Sequence, residues 1–565
     1  MPFLFETALP AWMRFVEGAA PIVLVAPHGG RRPADAPIKD NIKVNDLHTA
    51  ELTEELAART QGYALINHAF DRNELDLNRI SQVRTHAPWF LDALLELVSF
   101  LVEKHGETRV FFIHGWNVVQ PVCDLGMGMR QRDQAVLPAS KFAAPTLSPA
   151  FFDMAVAPFR EMALARGLDV AIGRRYPAAD KENVMQLFSA RFAKEHTPTI
   201  RRLAELSARG VVNALQLELG VGLRWPGAER EQFIEVFRQT LGSCEGLPLP
   251  DEKNFAAVSS PVATANDGLA LDRSLFAVSE STVSKRFGLH FHDPSSGVGI
   301  MGGIEVNAED GTHGGRLMLS LGGTEMALFT GEDEARRVPG HMQVGGLVWR
   351  GEPDGFAITY AGPFMRFSHP QAFIRLEEGL AASWVERAEV RLRLTIPARV
   401  ETLPTPLFLA HLRGEIRLQD RAHRIDAWGF LDAFKPEESG RLLPRRLVSL
   451  PFGPDLGLFL SLVETPEGPR SSGVLYQHGV PHQLQPDDWE LHYHLIDGRP
   501  ATFQVSVTSA ARLSLQCHGE SVTSIPIVRH AAQGSALNVT FGLSRTIWQG
   551  REARGVYEFS ERRRE

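Results

Sequence analysis

Ile22-Val-Leu-Val-Ala26-Pro27-His28-Gly29-Gly30 decides how the first half of the chain is read. Five consecutive apolar, β-rich residues run without polar interruption into Pro-His-Gly-Gly. A strand that is apolar at every position, rather than at every second one, is buried on both faces, so its sheet is covered by helices on both sides. The two glycines after it let a neighbouring backbone approach closely. Working outward, residues 47–59 carry apolar side chains at 47, 52 and 56 and stop at Gly62. Residues 88–105 open on Pro88 and stop at Gly106, the usual asymmetry of a helix. Arg109-Val-Phe-Phe-Ile113 and Val211-Val-Asn-Ala-Leu-Gln-Leu-Glu-Leu219 are two more buried-strand runs, and residues 229–241 form a last helix closed by Gly242. Buried strands alternating with helices predict an α/β domain over 1–245 with a mainly parallel sheet.

Gly246-Leu-Pro-Leu-Pro-Asp-Glu-Lys253 reads as a linker over 246–254. From about residue 280 the texture changes. Short period-2 runs such as Arg316-Leu-Met-Leu-Ser-Leu321 and Glu389-Val-Arg-Leu-Arg-Leu-Thr-Ile396 are separated by Gly, Pro, Asp and Asn. That pattern predicts an all-β region. Its length suits two barrels, at 255–437 and 438–565, with the break after Phe434-Lys-Pro-Glu-Glu438.

Composition narrows the function classes. The 565 residues hold 59 basic and 67 acidic side chains, a net charge of −8, and 44% hydrophobic residues, which excludes a disordered chain and offers no basic field for nucleic acid. Cys123, Cys244 and Cys517 are odd in number and far apart, so neither a disulfide scaffold nor a CxxC metal site is expected. No clean apolar stretch of about 18 residues occurs. Residues 89–102 contain Asp92 and Glu96 and read as a buried amphipathic helix. Glu6 and Glu17 interrupt the N-terminal segment, and no basic stretch precedes it. The expectation is a cytoplasmic protein without a membrane span.

Three residues stand out by position. His28 follows the first strand, His114 ends the second in Ile113-His114-Gly115-Trp116, and Glu218 lies near the end of the third. Ligands of open α/β sheets bind at the carboxyl ends of parallel strands. Two imidazoles and a carboxylate there suit a zinc site or an acid–base site. Plainer readings stand beside these: His28 as a turn histidine, His114 as a buried strand-end histidine, Asp46 as a helix N-cap. Glu218 inside Leu-Gln-Leu-Glu-Leu is costly to bury without a partner, which favours function. The polar run Asp71-Arg72-Asn73-Glu74-Leu75-Asp76-Leu77-Asn78-Arg79 is either an exposed salt-bridged turn or an anion-binding element, in which Asn78 and Arg79 grip a carboxylate.

Taken together, Pro27-His28-Gly29-Gly30, Asn45-Asp46, Arg72…Asp76-Leu77-Asn78-Arg79, His114-Gly115 and Leu215-Gln216-Leu217-Glu218-Leu219 resemble the N-formylglutamate amidohydrolase family over residues 20–245. That family is zinc-dependent, has a phosphorylase/hydrolase-like fold, and cleaves an N-acyl amide from an amino acid. The resemblance implies His28, Asp46 and His114 as zinc ligands, which sets aside the N-cap reading of Asp46. It implies Glu218 as the residue that activates water and protonates the leaving amine, Arg72 as oxyanion stabiliser, and Asn78 and Arg79 as the carboxylate-binding pair. The chain departs from the family at Gly29, where a serine is common, at Phe112, where an acid is common, and at Gly115, where a serine is common. The surroundings of His114 are therefore expected to differ. Residues 124–130 and 181–185 are candidate pocket walls or ordinary loops.

Residues 255–565 resemble the tandem lipocalin-like proteins that include carotenoid 1,2-hydratases, on Gly414-Glu-Ile-Arg-Leu418, Ile425-Asp426-Ala427-Trp428-Gly429-Phe430 and Gly555-Val-Tyr-Glu-Phe559. This resemblance implies an interior that takes an apolar ligand. Asp426 is either an acid that protonates an alkene or a hydrogen-bonding residue of a turn. His290/His292, His478/His482 and His492/His494 are spaced as metal-capable pairs without an assignable third ligand. Three functions follow: a zinc amidohydrolase acting on a small carboxylate-bearing substrate with an apolar part held by the β region; an isoprenoid-type hydratase, cyclase or isomerase acting in the barrels; or a non-enzymatic lipid-binding protein. The first is preferred, because four polar features of the N-terminal half agree on one mechanism. Oligomeric state is not readable from the sequence.

Overall fold

The computed structural model describes residues 3, 5–33, 43–132, 135–141, 143–243, 285–306, 312–334, 341–371, 376–397, 407–419, 421–434, 443–478, 480–496, 499–508, 514–530 and 536–562. The linker at 246–254 and the break at 437/438 lie outside the described residues. The chain divides into two compact units; the described residues up to 243 belong to the first and those from 285 onward to the second.

The first unit is α/β, as its buried apolar runs predict. Seven strands form its main sheet: β1 (Met13–Val16), β2 (Ile22–Ala26), β3 (Tyr63–Asn67), β4 (Thr108–Gly115), β5 (Val122–Gly126), β8 (Asp169–Ile172) and β9 (Val212–Leu219). A separate hairpin joins β6 (Met129–Arg132) to β7 (Ala135–Pro138). The sheet order is β1-β3-β2-β4-β9-β5-β8. β2 runs parallel to β3 and β4, β4 to β9, and β5 to β8, whereas β1 and β5 meet β3 and β9 antiparallel. The sheet is thus mixed but mostly parallel.

Every residue of β2 is buried. Ile22, Leu24 and Ala26 join one core with Leu52 and Leu56 of helix α1 (Thr49–Thr60). Val23 and Val25 join the core on the other face. There they meet Phe90, Leu94, Leu97 and Leu101, the apolar stripe of helix α2 (Pro88–His105). Each such side chain stabilises the fold by about 1.5–3 kcal/mol on burial. Asp92 and Glu96 lie off this stripe; Asp92 accepts from Thr199 Oγ1 at 2.8 Å and Glu96 from the Thr7 amide at 3.1 Å. Among the described residues no single helix is long and apolar enough to cross a membrane.

Strand alternation carries this two-core arrangement into the site. Phe111 and Ile113 of β4 enter the first core with Leu215, Leu217 and Leu219 of β9, while Val110, Phe112, Val212 and Ala214 enter the second. The second-core face continues towards the strand ends as His114 on β4 and as Gln216 and Glu218 on β9. The parallel register sets His114 opposite Glu218.

The second unit is all-β. Ten strands between Lys285 and Phe434 form one sheet, and eight of them close into a barrel where Glu325–Glu334 pairs with Gly355–Phe367 through Met326↔Phe367 and Leu328↔Met365. Nine strands between Arg445 and Arg562 form a curled half-barrel. Two barrels were expected; among the described residues the second sheet has no pairing that joins its two edge strands. Val448, Leu458, Trp489, Phe503, Val505 and Tyr557 pack together on one of its faces.

Candidate metal centre

His28, Asp46 and His114 converge, with one ligand-capable atom from each within 4.8 Å of the other two. His28 Nδ1 lies 3.3 Å and His114 Nδ1 3.2 Å from the same oxygen, Asp46 Oδ2. Charge-assisted N–H···O bonds span about 2.7–2.9 Å. Two ligands of one tetrahedral zinc, each about 2.0–2.1 Å from it, stand about 3.3 Å apart. The spacing is that of two ligands of one cation as well as that of two long hydrogen bonds. The other nitrogen of His28 behaves differently: Nε2 meets Asp76 Oδ1 at 2.7 Å, the carboxylate–imidazole pairing that orients a metal-ligating histidine. His114 Nε2 is buried and has no hydrogen-bond partner among the described residues. Phe112, on the same strand face, packs into the core against Phe188 and offers it no hydrogen-bonding group.

The N-cap reading of Asp46 is overturned. Helix α1 starts at Thr49, and its N-cap position is His48, which sits at φ 63° and makes no side-chain cap bond. The helix therefore starts two residues later than the apolar pattern from Leu47 suggests. The turn before it turns the Asp46 carboxylate away from the helix and towards both imidazoles, with Arg72 Nη1 donating to Oδ1 at 2.9 Å. Burial pushes the Asp46 carboxyl up, but Arg72 and the bonds from His114 and His28 outweigh it and hold the group well below the usual carboxylate range. Asn45 ties this turn to the polar run after β3: its Nδ2 donates to Asp71 Oδ1 and its Oδ1 accepts from the Arg72 amide, both at 3.0 Å. Asn45-Asp46 and Asp71-Arg72 are thus one structural unit.

Glu218 is buried beside His114. Gln216 Nε2 donates to Glu218 Oε1 at 2.8 Å, and Asn183 Nδ2 donates to Gln216 Oε1 at 3.1 Å. Burial raises Glu218 to about 7; His114 and Arg72 pull it down, whereas Asp46 and Asp124 push it up. Such a carboxyl can accept and return a proton near neutral pH. Glu218 and Arg72 line a cleft of about 330 Å³, together with Asp76, Asn78, Arg79, Arg175 and Asn183. The segment bearing Asn78 and Arg79 is fixed by backbone bonds from Ile80 N to Glu182 O at 2.8 Å and from Val184 N to Asn78 O at 3.3 Å. Arg79 Nε stands 3.8 Å from Asp76 Oδ2.

All seven site residues expected from the sequence thus gather around one cluster and its cleft. Others were missed. Asp76 lay within the quoted polar run, but only the fold shows it beneath His28. Asp124 accepts the amides of Arg174, Arg175 and Tyr176 at 2.9, 2.7 and 2.7 Å, and so shapes the loop that brings Arg175 and Tyr176 to the cleft. Of residues 181–185, Glu182 and Asn183 line the cleft.

In the β unit, Asp426 is exposed and meets His411 Nε2 at 2.6 Å. The bond from His411 holds its carboxyl below the ordinary value, unsuited to donating a proton to an alkene. His290 meets buried Asp432 at 2.9 Å. Burial lowers His292 to about 4. Among the described residues only His28, Asp46 and His114 form a group that could hold a metal.

No family model matches the chain, and no curated sequence matches it. Similar solved structures include N-formylglutamate amidohydrolase from Ralstonia eutropha JMP134, 17% identical, covering 41% of this chain and 97% of its own, with a TM-score of 0.27. They also include kievitone hydratase from Nectria haematococca, 8% identical, covering 49% of this chain and 88% of its own, TM-score 0.30. A protein from Nitrosomonas europaea assigned as AttH is 12% identical and covers 53% of this chain and 99% of its own, TM-score 0.37.

Proposed function

We propose that the first unit is a zinc-dependent hydrolase that cleaves an N-acyl, formyl-like amide from a carboxylate-bearing, amino-acid-type substrate. The observation that carries this reading is the shared approach of His28 Nδ1 and His114 Nδ1 to Asp46 Oδ2, with a buried glutamate beside them at a cleft. His28, Asp46 and His114 would hold the metal, which when bound polarises a carbonyl and acidifies water. Two imidazoles and one carboxylate are a donor set that suits zinc. Glu218 accepts the proton of the attacking water and delivers it to the leaving amine nitrogen. The Gln216 amide holds Glu218 in place for both transfers. Arg72, at the edge of the cluster, stabilises negative charge that develops on the carbonyl oxygen. Asn78 and Arg79 hold the substrate carboxylate, with Arg79 offering a planar fork of donors.

The β unit has no catalytic part in this reading. Asp426 is exposed, with its carboxyl held below the ordinary value by the bond from His411, and Trp489, Phe503 and Tyr557 pack together on one face of the half-barrel.

The test is a zinc assay on the full chain, with hydrolysis of N-formyl and N-acetyl amino acids measured before and after chelation. Stoichiometric zinc, lost in His28→Ala, and turnover restored by re-added Zn2+ are expected. A zinc-loaded protein that hydrolyses none of these amides, or zinc content unchanged in His28→Ala, counts against the reading.

A further inference from the structure

Arg224 ends the short helix α3 (Val221–Arg224), just beyond β9, and its side chain is fully buried. Nη1 donates to Leu47 O at 2.7 Å; Nη2 donates to Trp116 O and to Asn117 Oδ1, both at 3.1 Å. Leu47 directly follows Asp46, and Trp116 lies two residues after His114. One guanidinium therefore spans the two turns that deliver two of the three metal-capable side chains. Those turns come from distant parts of the chain, and no strand pairing joins Leu47 to Trp116.

Gly115 makes room for this fork. A Cβ on residue 115 would stand 2.3 Å from Arg224 Nη1 and 3.0 Å from Asp46 Cβ, so the guanidinium passes in the space a side chain would occupy. Arg224 is itself anchored, since its carbonyl accepts from Arg230 Nη1 at 2.9 Å and Arg230 pairs with Glu55 of α1 at 3.0 Å. Nearby Asp46 and Glu218 favour its charged form, while burial lowers it to about 10, so it stays cationic at neutral pH. A buried cation beside a metal-capable cluster repels a metal ion. What offsets that cost is geometry: three donors of a rigid planar fork fix two ligand turns at once.

We infer that Arg224 is a positioning residue that holds the Asp46 and His114 turns at metal-ligating separation, and that Gly115 is glycine to let its guanidinium through. This rests on the proposed metal centre, and the test separates the two. Zn2+ dissociation constants of the full chain are measured by chelator competition for wild type, Arg224→Lys, Arg224→Met and Gly115→Ala. Melting temperatures are taken in EDTA for each. Removal of outer partners of metal ligands typically weakens metal affinity about 10–100-fold. That loss is expected for Arg224→Met and Gly115→Ala, with a smaller loss for Arg224→Lys, which keeps the charge but loses the fork. Gly115→Ala keeps Arg224 and gives a reading even where Arg224→Met does not fold. Variants that melt earlier in EDTA but bind Zn2+ as tightly as wild type overturn the inference, because Arg224 then serves the fold alone. A wild type that binds no Zn2+ overturns the metal centre and this inference together.

Discussion

Replacing Glu218 by glutamine removes one titration and little else, because the amide oxygen of glutamine can still accept from Gln216 Nε2. The structure sets the size of the effect. Burial raises Glu218 from 4.5 to about 7. Below pH 4.5 the carboxyl is neutral in both the folded and the unfolded chain. Between 4.5 and about 7 the unfolded chain ionises first, and above 7 the folded unit carries the whole cost of a buried carboxylate. At about 1.4 kcal/mol per pH unit, the metal-free first unit loses about 3 kcal/mol across that window through this one group. Glu218→Gln has no such slope. Native-state hydrogen exchange of the β4 and β9 amides in EDTA, corrected for intrinsic rates, reads the opening free energy of this unit by itself. From pH 4.5 to 8 the variant should gain about 3 kcal/mol relative to wild type. Parallel pH dependences in the two proteins would refute the claim that Glu218 is a buried, proton-exchanging carboxyl.

Two further predictions concern the surroundings of the cluster. Asp76→Asn keeps the volume beneath His28 but weakens the acceptor for its Nε2; Zn2+ affinity should fall about 10–100-fold, measured by chelator competition. Arg79→Ala and Gln216→Leu should separate kinetically on an N-formyl amino acid: the first raises KM with kcat nearly kept, the second lowers kcat with KM nearly kept, because one group grips substrate and the other aims the base.

The architecture of the first unit was legible because buried strands are locally encoded. Ile22–Ala26 is apolar at all five positions and became a strand buried on both faces. Residues 88–105, opened by Pro88 and closed by Gly106, became a helix with those bounds, and Gly106 takes φ 82°. The all-β texture of the second region was equally local. Closure was not, since whether a curled sheet meets its own edge depends on strand tilt and stagger over the whole sheet. Asp46 illustrates the limit at the site. Its place before a helix pattern speaks for a cap, yet in the fold the N-cap position falls to His48 and the Asp46 carboxylate meets both imidazoles and Arg72.

By itself the sequence determined the fold class of both regions and which side chains reach the strand ends, because hydrophobic period and chain position are properties of short segments. Tertiary structure alone decided which of those side chains share an atom. Asp76 under His28, Gln216 behind Glu218 and Arg224 across two turns each join segments that are remote in the chain, or depend on a side-chain direction that spacing does not fix. The register of β4 against β9 set His114 beside Glu218, and register between distant strands is settled only when both cores close around them.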